Sequence, residues 1–173
     1  MNKKGLIGVV GVMVLLLVAV ATFLAARRFA TFSASPSVPP FIAGTCRDFP
    51  EAQLKIGGRK ISVALADDEQ ERHQGLSDCE SMPADSGMYF VFPQKEATAF
   101  WMKSMHFALD IIWVADGKVT GVVENAPAPV PGTANRNLPQ YASNGAINTV
   151  LELPAGKAKE YGIKQGTQIE LLR

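Results

Sequence analysis

The sequence predicts a mainly β domain, a compact β-sandwich or partly open barrel with one or two short helices, preceded by one transmembrane helix. Three observations carry that expectation. Short apolar or alternating runs follow one another closely through the last two thirds of the chain, with little helical periodicity between them. Two glycine turns, Gly57-Gly58 and Asp116-Gly117, join neighbouring runs. Residues 5–26 carry no charge. Many short strands with turn residues between them favour a sandwich or barrel over an α/β fold.

The amino-terminal run GLIGVVGVMVLLLVAVATFLAA would form a helix about 33 Å long, close to the roughly 30 Å of a bilayer's hydrocarbon core. It is longer than the apolar part of an ordinary cleaved signal, so it reads as a signal anchor. Cleavage and secretion are the alternative, because Ala19-Val20-Ala21 and Ala25-Ala26 offer small-residue sites. Residues 1–4 then form a short cytoplasmic tail, and residues 27–45, which include TFSASPSVPP, a solvated Pro/Ser tether. Residues 46–173 are the domain, facing the periplasm or exterior from a single pass in the cytoplasmic membrane. Lys3 and Lys4 on one side and Arg27 and Arg28 on the other give only a weak positive-inside bias.

The net charge of +1 averages two unlike pieces. Residues 1–40 hold four bases and no acid, whereas residues 41–173 hold 13 bases and 16 acids, a balance of −3. A mildly acidic domain does not attract nucleic acid, so that class of partner is excluded. Cys46 and Cys79 are the only thiols. Outside the cytoplasm such a pair reads as a disulfide, worth roughly 3–4 kcal/mol for a loop of this length; the other reading is two small core residues. No further Cys or His pair accompanies them in zinc-site spacing.

Within the domain, Leu54–Ile56 and Ile61–Leu65 flank Gly57-Gly58 as a β-hairpin. Asp67 with Gln70 suggests a capping box for a short helix over 68–74, ended by Gly75. Gly87–Phe92 reads as a buried strand stopped by Pro93, and Ala97–Lys103 as another strand. Phe107–Val114 and Val119–Val123 flank Asp116-Gly117, the strongest hairpin signal in the chain. Glu124–Ala146, with four prolines, predicts a long irregular loop that could cover a groove. Ile147–Leu153 is a strand, Ala155–Tyr161 a helix of one or two turns, and Ile169–Leu172 the closing strand.

Four stretches in order, Glu71–Leu76, Gly87–Phe92, Phe100–Lys103 with Leu109-Asp110, and Val150–Gly156, resemble the DUF192 family, also called UPF0127. The resemblance spans roughly residues 53–173 and implies a compact β-rich prokaryotic domain, often exported. It implies no catalytic residues. Four positions depart from the family's usual pattern: Ser104-Met105 in place of Asn-Thr, Cys79 in place of an Arg, and Ala108 in place of a Pro.

The candidate ligand-binding residues are Arg72, Trp101, Lys103 and Asp110. Strand alternation puts Trp101 and Lys103 on one face and Phe100 and Met102 on the other. A Trp beside a Lys can grip a planar or anionic ligand, the ring by contact and the ammonium by charge. Asp110, inside an apolar run, needs donors or a shifted pKa, and Arg72 or Lys103 could supply the partner. Convergence of Arg72, Lys103 and Asp110 would suit something carboxylated or phosphorylated. Glu152 between Leu151 and Leu153 could point outward, or pair with Asp110 in an envelope hydrolase. Met88, Met102, Met105 and His106 would suit Cu(I), but alternation divides them, so no metal or other cofactor is expected. The expected function is a membrane-anchored module binding a small ligand or an envelope protein. A hydrolase, or an assembly factor without a small-molecule site, are the alternatives.

Overall fold

The computed structural model describes residues 49–172. The predicted span at 5–26, its flanking tail and tether, and Cys46 lie outside them. Among the described residues no helix is long and apolar enough to cross a membrane.

The predicted β-rich architecture is present. β1 (Glu51–Ile56) and β2 (Arg59–Ala66) form the expected hairpin, with Ile56 opposite Arg59 across the Gly57-Gly58 turn. α1 (Glu69–Gln74) follows, one residue out of step with the predicted cap. Asp68, not Asp67, is the N-cap: its side chain accepts from Glu71 N at 2.7 Å, and Glu71 Oε2 accepts from Asp68 N and Asp67 N. This reciprocal bonding satisfies donors that a helix start otherwise leaves open. Gly75 ends the helix as expected.

β3 (Ser86–Glu96) runs past Pro93 instead of stopping there. Its ladder to β8 shifts register between Val91 and Glu96, so Pro93 sits in an irregular stretch where no ladder hydrogen bond is required of it. The predicted 97–103 strand shortens to β4 (Ala99–Trp101). β5 (Leu109–Ala115) and β6 (Lys118–Ala126) form the second hairpin, with Asp116 at φ 50° and Gly117 at φ 73°, as a two-residue type I′ turn requires. The 124–146 segment is less irregular than predicted. β6 extends into it, a 3-10 turn occupies Asn135–Asn137, and β7 (Gln140–Ala142) pairs with β4. Pairing with a remote strand overrode the local proline signal. β8 (Ile147–Pro154), α2 (Lys157–Glu160) and β9 (Ile169–Leu172) complete the domain.

Seven strands form one sheet in the order β6-β5-β8-β3-β2-β1-β9, antiparallel except for β2 and β3, which α1 connects. The outermost strands meet. Val119 N donates to Thr167 O at 2.9 Å, Gly166 N to Val119 O at 2.8 Å, and Ile169 N to Gly117 O at 2.8 Å. The sheet is therefore a curled half-barrel, the partly open barrel of the two predicted alternatives and not the sandwich.

Its inner face carries Leu54, Val63, Tyr89, Ile112, Leu151 and Leu153, joined by Val119 and Ile169 from the meeting edges. Its outer face carries Ala64, Met88, Phe90, Ile111, Trp113 and Val150, covered by Leu76, Cys79, Met102 and Met105 from the connections. Strand alternation thus serves two cores, one on each side of a single sheet.

Candidate functional site

The outer-face core is incompletely covered. Between α1 and the turn after it on one side, and β4 with the chain that follows it on the other, lies a cleft of about 200 Å³. Its walls include Arg72, His73, Gly75, Phe92, Phe100, Trp101, Lys103 and Met105, and Glu152 lines it from the sheet beneath.

Each wall is held by identifiable bonds. Arg72 projects from α1, where its Nη1 donates to Val91 O at 2.8 Å and to Asp67 O, tying the helix to β3. The guanidinium also lies 5.7 Å from the centre of the Phe92 ring. Its Nε and Nη2 groups have no partner among the described residues. The turn after α1 is stitched to the opposite wall by Ser77 Oγ donating to Lys103 O at 3.2 Å and Asp78 N to Ser104 O at 2.8 Å.

β4 divides as alternation predicts. Phe100 packs edge-on against Phe90 and Trp113, at centroid distances of 5.0 and 5.5 Å, and Met102 is buried. Trp101 is 44% exposed, and the Lys103 Nζ lies 5.6 Å from the centre of its ring. Neither Arg72 nor Lys103 forms an ion pair with a described acid.

Three of the four predicted binding residues, Arg72, Trp101 and Lys103, therefore share one cleft. Asp110 does not join them. In β5 it lies on the inner face with Ile112 and Val114, while Ile111 and Trp113 face the cleft side. It is fully buried, and Oδ1 accepts from Asn125 N and Oδ2 from Ala158 N, both at 2.8 Å. Asp110 thus pins the start of α2 and the end of β6, which answers the need for donors that its apolar neighbours imposed. The predicted pairing with Arg72 or Lys103 is corrected accordingly.

Glu152 replaces it in the cleft. The ladder places Glu152 opposite Met88 of β3 and Ile111 of β5, on the outer face. It is only 5% exposed, so the outward, solvated placement expected from alternation does not hold. Its carboxyl has no hydrogen-bond or ionic partner among the described residues, and burial pushes its pKa up to about 8. Most copies are then protonated at neutral pH, and the cleft's formal charge comes from Arg72 and Lys103. The signal in the sequence was a lone acid within an apolar strand. Its weight could be judged only once β8 proved to be central, paired on both sides.

Asp110 and Glu152 cannot act as a catalytic carboxyl pair, since they point to opposite faces of the sheet. The methionines weighed as copper ligands, Met88, Met102 and Met105, are buried in the outer core, and His106 is exposed. Residues 128–133 of the proline-rich segment line a separate hollow with Ser104, Met105 and His106 and are not among the cleft's lining; its later part pairs with β4 through β7, and Ser143 bonds to Thr98 just before β4. Cys79 is buried in the outer core.

A curled half-barrel with two short helices and a cationic, aromatic-walled cleft defines a small, mainly β domain. The DUF192 family model, described as an uncharacterized ACR, matches residues 52–171, and the chain belongs to that family. Two solved structures are similar. One, a protein of Sinorhizobium meliloti 1021 provisionally assigned as a transcription regulator, is 29% identical over 71% of this chain and 95% of its own, with a TM-score of 0.63. The other, a protein of unknown function from Novosphingobium aromaticivorans DSM 12444, is 24% identical over 75% of this chain and 91% of its own, also at 0.63, a likeness of fold alone. No curated protein matches.

Proposed function

We propose that the chain is a membrane-anchored, extracytoplasmic binding module whose cleft takes a small anionic ligand with a planar portion. The observation that carries this reading is the grouping of Arg72, Lys103 and the exposed Trp101 ring around one opening, with neither cation paired to an acid among the described residues. Cations held apart from carboxylates favour an incoming anion, and an exposed indole offers a face to a ring. Residues 5–26 supply the anchor, and a Cys46–Cys79 bridge would tie the tether's end to the outer core. Regulation of transcription, the role given to the S. meliloti relative, is not adopted. Residues 41–173 balance at −3, which opposes approach to a polyanion. The assembly-factor reading has less support, because Trp101 and Val130 are the exposed large apolar side chains of the described domain.

Titrating the purified full-length chain with a panel of aromatic carboxylates and phosphates, followed by calorimetry, tests the cleft. Trp101→Ala and Lys103→Ala should each weaken the best-bound member about tenfold, and an unchanged affinity in both variants rejects the reading.

A further inference from the structure

Glu152 is the one cleft-lining acid, and nothing in the described protein bonds to it. An unpartnered, nine-tenths buried carboxyl on a central strand costs stability wherever it stands, so its placement beneath an open cleft calls for a role. A carboxyl that keeps its proton can donate one hydrogen bond, as a carboxylate cannot. Resting on the anion-binding reading above, we propose that Glu152 acts in its protonated form as the hydrogen-bond donor at the base of the cleft, selecting a planar, singly charged carboxylate as the ligand.

The surroundings support that division of labour. The titratable side chains sharing the cleft are Arg72 and His73 from α1 and Lys103 from the chain after β4, while β3 and β5 place apolar Met88 and Ile111 beside Glu152. Neither cation draws the Glu152 pKa down; burial alone governs it. A carboxylate entering with its ring against Trp101 would meet the free Arg72 and Lys103 donors toward the opening and the Glu152 O–H below. The shared proton would then lie between two carboxyl groups, a short charge-assisted bond. A doubly charged phosphate would balance the two wall cations, but its tetrahedral group is not planar, and it would repel Glu152 more strongly than a singly charged carboxylate once that group ionised.

Benzoate and phenyl phosphate, titrated into the purified full-length chain between pH 6.5 and 9, test this. Benzoate should bind roughly tenfold more weakly at pH 9 than at pH 6.5, because only the protonated fraction of Glu152 is competent to donate. Glu152→Gln should bind benzoate with less than a twofold change across that range, since its amide donates at every pH. His73→Gln should keep the full pH dependence. If Glu152→Gln retains the tenfold drop, or if the parent protein shows none, the role of Glu152 is overturned. If phenyl phosphate binds more tightly than benzoate at pH 6.5, the carboxylate assignment falls. Loss of benzoate binding in Trp101→Ala without any pH dependence in the parent would sink this inference and leave the binding module standing. Absence of binding by both probes at every pH would sink both.

Discussion

Asp110 and Glu152 lie on neighbouring strands, with Asp110 directly opposite Leu153, yet they meet contrary conditions. Asp110 has two backbone N–H groups aimed at its two oxygens; Glu152 has none among the described residues. Burial without donors disfavours the charged form, and the Glu152 pKa rises from 4.5 to about 8. The consequence for stability has a definite sign. Between those two values the unfolded chain has released this proton and the folded chain still holds it, so the contribution falls as pH rises from about 4.5 to 8 and is level above. The loss is on the order of 1.4 kcal/mol for each pH unit crossed. Glu152→Gln removes that dependence. In urea titrations at pH 5 and pH 8, its stability relative to the parent should therefore grow with pH, and equal differences at both values would contradict the buried, unpaired state of Glu152.

At the scale of elements, the closeness of β3 to β8 is the feature most sensitive to substitution. A Cβ at Gly87 would stand 2.7 Å from Glu152 O and 2.8 Å from Leu153 Cδ2. The first neighbour is backbone in a central strand and cannot swing away, so Gly87→Ala should cost about 1–3 kcal/mol by overpacking. Gly58→Ala is the matched control, because a Cβ there meets nothing within 4 Å. A urea midpoint for Gly87→Ala equal to that of Gly58→Ala would refute the packing argument. The same closeness bears on the site, since β3 and β8 together carry Phe90, Phe92 and Glu152 into the cleft.

At the scale of the whole molecule, the half-barrel closes through bonds between Gly117–Val119 and Gly166–Ile169, with each face of the sheet bearing its own core. The inner core holds the fold closed, and the outer one is left open at the cleft beside α1 and β4. The proposal that residues 5–26 hold this domain at the outer side of a membrane predicts that the chain sediments with membranes after alkaline washing. With free thiols alkylated under denaturing, non-reducing conditions, the intact mass should show the full-length chain with neither Cys46 nor Cys79 modified. A chain released by the wash, or one carrying two alkyl groups, would contradict the anchor or the bridge respectively.

What the sequence determined by itself was local: both glycine-turn hairpins, the short helix after β2, the last two strands, and the opposed faces of β4 that put Trp101 and Lys103 together. These follow from period-two alternation and turn chemistry, which act between residues a few positions apart. The family likeness and the mainly β class were legible on the same terms. Tertiary structure alone decided that Pro93 falls inside a strand and that residues 140–142 pair with β4. It also decided which of the two acids reaches the cleft. Alternation says that adjacent strand residues face opposite ways, but not which way is outward from a curled sheet. That choice depends on how β5, β8 and β3 stack in register and on what covers each face, relations between segments that lie tens of residues apart.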